Sequence, residues 1–236
     1  MAGSSTRETA LIIGVGDGLS AALARLFARE GMRLALAARR GDKLGALCAE
    51  TSAKAYSCDA AKRGDVDALF AAVSGELGTP DIVVYNPSYR TRGPLVELDP
   101  VEVEKSLIIT CFGGFLVGQA AARQMLVRGS GSILFTGASA SVKGYAHSAP
   151  FAMGKFGLRG LAQSMARELA PKNIHVGHFV IDGGIARPGG DPRGAARGDD
   201  GLLAPEAIAQ TYLHLHRQHR SAWTWEVELR PWVETF

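Results

Sequence analysis

Short apolar runs and helix-length amphipathic segments alternate along this chain almost from end to end, and that alternation restricts the fold more than any other feature. The run TALIIG (9–14) closes on glycine and precedes LSAALARLFAREG (19–31), whose apolar residues recur at helical spacing before a glycine stop. RLALAA (33–38), AKAYSC (53–58), DIVVYN (81–86), GSILFTG (131–137), IHVGHFVI (174–181) and TWEVELRPW (224–232) read as further strands. Helices are expected near 41–52, over 66–77, 100–128 and 151–169, and near 205–219. Strand, helix and strand in succession require right-handed crossovers, and these give a parallel sheet covered on both faces. The expected fold is α/β, a doubly wound parallel sheet of about seven strands, with ligands beyond the carboxyl ends of the strands.

With 236 residues and 47% hydrophobic content, one domain over 9–236 is expected. The preceding MAGSSTRE (1–8) reads as a flexible tail without a secretory pattern. The net charge of +3, with Lys and Arg scattered among acids, leaves no electrostatic footprint for a nucleic-acid partner. Cys48, Cys58 and Cys111 have neither paired nor metal-ligand spacing and read as reduced thiols of a cytoplasmic protein. The longest apolar run, LIITCFGGFLVG (107–118), is too short to span a bilayer and reads as a buried helix, so no membrane partner is expected. Its Phe112, Phe115 and Leu116 read as core or subunit contacts. HLHRQH (214–219) scatters three His around a helix, and His175 and His178 fall on opposite faces of a strand, so no metal site is expected.

Two segments carry the expected chemistry. Gly14, Gly16 and Gly18, with Asp17 and Leu19, form the junction of the first strand and first helix, where backbone N–H groups can approach a pyrophosphate. At the end of the second strand the chain reads Ala37-Ala38-Arg39-Arg40. An NAD(H)-selective site wants a carboxylate near Ala38 for the ribose hydroxyl, whereas a small neutral residue followed by two guanidinium groups suits a phosphate, so NADP(H) is expected over NAD(H). The plainer reading is that both Arg solvate a loop. Residues 182–203, rich in Gly, Pro and Arg, are either a solvated loop or a lid over the site.

From Thr9 to Trp232 the sequence resembles the short-chain dehydrogenase/reductase family, which implies a Rossmann-type fold and hydride transfer between a nicotinamide and an alcohol or carbonyl. The family's TGxxxGxG loop is met by Gly14 and Gly18, with Ile13 for the Thr and Ser20 for the last Gly. The resemblance implies an adenine contact at Asp59 with Ala60 beside it. It also implies cofactor contacts from Asn86, Pro87 and Ser88, where YNPS stands for NNAG, and from Gly183 and Ile185, where DGGIAR stands for PGxIxT. Of the family's Asn, Ser, Tyr and Lys tetrad, Lys155 is kept, while Thr110, Ala138 and Phe151 stand at the other three positions.

Lys155 and Phe151 are four apart on a helix and share a face, so Lys155 retains its cofactor-binding half, but a phenyl ring carries no proton. Tyr145 or His147 is expected to supply the proton, with Ser139 or Ser141 holding the substrate oxygen; Tyr145 equally suits packing on a loop surface. The sequence thus implies a divergent NADP(H)-dependent oxidoreductase on a small or medium carbonyl or alcohol substrate. The alternatives are a catalytically silent NADP(H)-binding sensor or scaffold, and non-redox chemistry on the same scaffold. The resemblance further implies a homodimer or homotetramer through the long helix, the Lys155 helix and the last strand.

Overall fold

The computed structural model describes residues 7–235. Seven parallel strands form one sheet in the order β3-β2-β1-β4-β5-β6-β7: β1 (Thr9–Ile13), β2 (Arg33–Ala38), β3 (Lys54–Ser57), β4 (Ile82–Tyr85), β5 (Gly131–Thr136), β6 (Ile174–Ile181) and β7 (Glu226–Leu229). The order reverses between β1 and β4, which places the crevice beyond the carboxyl ends of those two strands. The period-two alternation of strand side chains sorts the core into two layers. Leu11, Ile13, Val83, Tyr85, Ile133 and Phe135 face one side, under α3 (Arg63–Leu77), α5 (Gly113–Arg128) and α6 (Ala149–Leu169). Ala10, Ile12, Leu34, Leu36, Val84 and Leu134 face the other, under α1 (Leu19–Arg29), α2 (Gly45–Thr51) and α8 (Pro205–His216).

Several elements differ from the sequence expectation, each for a local reason. The long helix begins as α4 (Pro100–Leu107), capped by the Asp99 side chain, and passes through a π turn (Ile108–Phe112) into α5. The Tyr85 hydroxyl donates to Ile109 O, the carbonyl that an uninterrupted helix would offer to Gly113 N, and a Cβ at Gly113 would crowd that hydroxyl. The combined run Pro100–Arg128 is long and apolar enough to cross a membrane, unlike the 12-residue apolar run (107–118) within it. Half of its most apolar stretch is buried against the rest of the fold. The segment after β6 contains a short helix, α7 (Pro192–Ala195), started by the Asp191 carboxylate. Arg7 and Glu8, read as the end of a tail, are tied down: Arg7 Nε donates to Gly31 O at 2.7 Å and Glu8 O accepts from Arg33 N. Residues 1–6 of that expected tail lie outside the described residues.

Candidate functional site

The first strand ends in a turn that glycine alone fits comfortably. Gly14 has φ +82°, and a Cβ there would lie 2.7 Å from Pro87 N. At Gly16 and Gly18 a Cβ would meet nothing within 4 Å, so these two face open space at the N-terminus of α1, where free backbone N–H groups collect. Ser20, at the position of the family's last glycine, is a brace. Its hydroxyl donates to Gly14 O at 3.2 Å and accepts from Asn86 Nδ2 at 2.7 Å, pinning the loop to the end of β4.

A cavity of about 480 Å³ opens over this loop at the switch between β1 and β4. Its walls include Gly14, Gly16, Asp17, Asp59, Ala60, Asn86, Pro87 and Ser88, and its far end is formed by Ala38, Arg39, Arg40 and Lys43. Among the described residues neither the Arg39 nor the Arg40 guanidinium has a hydrogen-bond or carboxylate partner. Lys43 adds a third cation that the sequence pattern did not single out. Asp59 accepts from Ala61 N at 3.2 Å, which fixes its turn. A second hollow shares Gly14, Gly16, Asp17 and Asn86 and extends past Gly18, Leu19 and Ser20 to Ile185, Ala186, Arg187, Pro188 and Arg193. The side chain of Leu19 is itself packed in the core, so it offers backbone to this hollow. Together the two form one elongated cleft with an open glycine loop at its middle, Arg39, Arg40 and Lys43 toward one end, and Arg187 with the Asp191-paired Arg193 toward the other. The donor set therefore fits a phosphorylated dinucleotide. Gly183 and Lys155 lie outside the lining of both hollows; a Cβ at Gly183 would meet Pro231 Cδ at 2.6 Å, so its glycine serves packing.

Lys155 is 2% exposed, and its Nζ donates to Thr136 O at 2.6 Å. Burial, with Arg90 nearby, pushes its pKa down to about 7. The ammonium lies 5.8 Å from the centre of the Phe151 ring, as the i,i+4 spacing predicts. The other face contact of that ring is unexpected: the Arg90 guanidinium carbon sits 3.9 Å from its centre. Thr110 is fully buried and bound to the chain after β4, its Oγ1 accepting from Tyr89 N at 3.1 Å.

The expected replacement hydroxyls separate into two groups. Ser141 is buried and already committed: it accepts from Ala138 N at 3.2 Å and donates to His178 Nε2 at 3.3 Å, so it cannot hold a substrate oxygen. Ser139 is half-buried, and Tyr145 and His147 are exposed in the turn before α6, the latter at φ +60°. Behind Ser141 runs a relay absent from the sequence reading, in which His178 Nδ1 donates to Glu226 Oε2 at 3.0 Å and Arg159 clasps the same carboxylate at 2.6 and 2.7 Å. Burial holds the His178 pKa down at about 4 despite the nearby carboxylate, so the ring is neutral and both its nitrogens are used. The relay ties the loop at Ala138 to β6 and β7. Glu226→Ala would strand a buried N–H and an Arg, an expected loss of about 1–3 kcal/mol in thermal or urea unfolding; an unchanged midpoint would contradict this role.

Arg90 carries the main signal missed in the sequence. A loop after a strand's carboxyl end was the right place to look, but nothing in its spacing pointed to Phe151. Among the described residues, no group of three His, Cys, Asp or Glu side chains is placed to hold a metal ion.

A model of the short chain dehydrogenase family matches residues 8–186. The human 3-oxoacyl-[acyl-carrier-protein] reductase is 31% identical over 167 residues, 70% of each chain. A crystal structure of a short-chain dehydrogenase from Rhodopseudomonas palustris superposes with a TM-score of 0.84 at 37% identity, covering 95% of this chain and 99% of that one. A metagenomic short-chain oxidoreductase in complex with NADP superposes with a TM-score of 0.82 at 26% identity, covering 95% and 97%.

Proposed function

The chain belongs to the short-chain dehydrogenase family, and from that premise we propose that it is an NADP(H)-dependent oxidoreductase acting at a carbonyl or alcohol carbon. The observation that carries the reading is the cationic end of the cleft, where Arg39, Arg40 and Lys43 meet at Ala38 with no carboxylate in the ribose position. The NADP complex of the metagenomic relative and the reductase name of the human one support the same chemistry. When bound, the reduced nucleotide supplies a hydride to a carbonyl carbon, whose oxygen then requires a proton.

This chain's own residues divide that work differently from the family pattern. The glycine loop and the N-terminus of α1 hold the pyrophosphate, Arg39 and Arg40 hold the adenosine-side phosphate, and Ile185 closes on the far end. Lys155, held on Thr136 O behind the lining of the cleft, turns from that carbonyl to take the cofactor-ribose contact and, with its pKa near neutrality, also provides the proton that residue 151 cannot. Tyr145 and His147, solvent-exposed in the turn before α6, return that proton from water. The exposed aromatic face of the long helix and α6, with Phe112, Phe115 and Phe156, supports assembly as a homo-oligomer. Three unpaired thiols support a reducing, cytoplasmic setting.

One observation favours a second reading, a dinucleotide-binding sensor or scaffold without turnover: neither residue 151 nor residue 138 bears a hydroxyl. Loss of NADPH absorbance over a panel of aldehydes, ketones and oxo acids separates the two. The oxidoreductase reading expects turnover by the native protein on at least one class. Phe151→Tyr with Ala138→Ser should then change the rate by no more than about tenfold, since Lys155 already supplies the proton. Binding of NADPH with turnover seen in that double variant alone, at a gain of about 10²-fold or more, would establish the silent reading.

A further inference from the structure

Resting on the oxidoreductase reading above, we propose that Arg90 is a substrate-binding residue and that the substrate is an oxo acid, a carbonyl compound bearing a carboxylate. The Arg90 guanidinium carbon sits over the Phe151 ring, 3.9 Å from its centre, while the ring itself is 6% exposed. The ring contact holds the guanidinium in place and leaves its N–H groups without acceptors, and a guanidinium so placed can grip a carboxylate through two parallel hydrogen bonds. Arg90 is solvent-accessible, and among the described residues it has no acceptor and no counter-charge; Arg92, two residues on, has none either.

Three carboxylates that could compete for Arg90 have other partners. Asp182 is held by Lys143 at 3.3 Å and by Arg230 at 3.5 Å. Glu226 is held by Arg159 and His178, and Glu102 by Tyr89 and Lys105. Arg90 and Arg92 therefore stand in the segment after β4 without a balancing carboxylate among the described residues, and burial together with Arg92 lowers the Arg90 pKa. Phe151 gives the guanidinium an aromatic platform and places no acid beside it. The carbonyl carbon takes the hydride and its oxygen the proton from Lys155, while the carboxylate stays bound to Arg90 and unchanged.

The test uses phenylpyruvate and phenylpyruvamide, which match in shape and differ in charge, with the protein saturated in NADPH. The native protein should favour the acid by about 10- to 100-fold in kcat/KM, the range for a charge-assisted pair. Arg90→Leu should erase that preference, the acid losing about 10- to 100-fold more in kcat/KM than the amide and losing it through KM, and Arg90→Lys should restore part of it. Equal efficiency on both compounds, or equal losses in Arg90→Leu, would overturn the proposal. Where neither compound turns over, quenching of bound NADPH fluorescence by phenylpyruvate decides: binding lost in Arg90→Leu supports it, and no binding by the native protein refutes it. Failure of the native protein to take up NADPH at all would instead bring down the oxidoreductase reading and this inference with it.

Discussion

Replacing Lys155 with Met removes turnover by about 10²–10⁴-fold while making the cofactor-free protein more stable at neutral pH. Both effects follow from one buried ammonium. Its partner is a neutral carbonyl, Thr136 O, rather than a carboxylate, so burial lowers its pKa from the ordinary lysine value to about 7. The sign is fixed by proton binding. Between about pH 7 and the unfolded value near 10.4, the unfolded chain holds the proton more strongly, so stability rises with pH across that window. The penalty is fully present below pH 7 and disappears above the unfolded pKa. Met fills the same volume without charge, so its gain in melting temperature should be several degrees at pH 6 to 7 and should fade toward pH 10, with each pKa unit worth about 1.4 kcal/mol. A flat difference between the two proteins across pH, or turnover retained in Lys155→Met, would contradict the assignment.

The double replacement Arg39→Ala with Arg40→Ala should weaken NADPH binding by about 100-fold or more and change NADH binding by less than about threefold. A hydrogen bond to a charged group contributes about 1.5–3 kcal/mol, and two guanidinium groups without other partners have nothing else to bind. The loss should shrink as salt screens this exposed end of the cleft. Equal losses for both nucleotides would mean that the pair shapes the loop rather than reads the phosphate. Lys43 limits the effect, and adding Lys43→Ala should deepen it.

What the sequence disclosed follows the range of the interactions involved. The sheet was legible because strand and helix periods are local, and its parallel order follows from the crossovers they require. The glycine loop was legible because its chemistry is that of the backbone, and Phe151 and Lys155 were placed on one face because helix geometry does so at i,i+4. Ser20 looked like a lost glycine, and its bracing role required Asn86 to arrive from β4. Ser141 looked free until His178 and Glu226 came in from β6 and β7. The π turn depended on one hydroxyl, that of Tyr85, reaching across from the sheet. Arg90 carried no pattern of its own, because its meaning lies in a contact with a ring from a distant helix. Local rules thus outlined the glycine-loop cleft, and long-range contacts set the surroundings of Phe151 and Lys155.

The cleft is proposed to select a phosphorylated dinucleotide beside a residue 151 that bears no hydroxyl. Calorimetric titration of the native protein with NADPH and, in parallel, with NADH tests it most directly. One NADPH per chain is expected, bound at least about tenfold tighter than NADH, with that margin removed in the Arg39→Ala, Arg40→Ala protein. No heat of NADPH binding, or tighter binding of NADH, would contradict it.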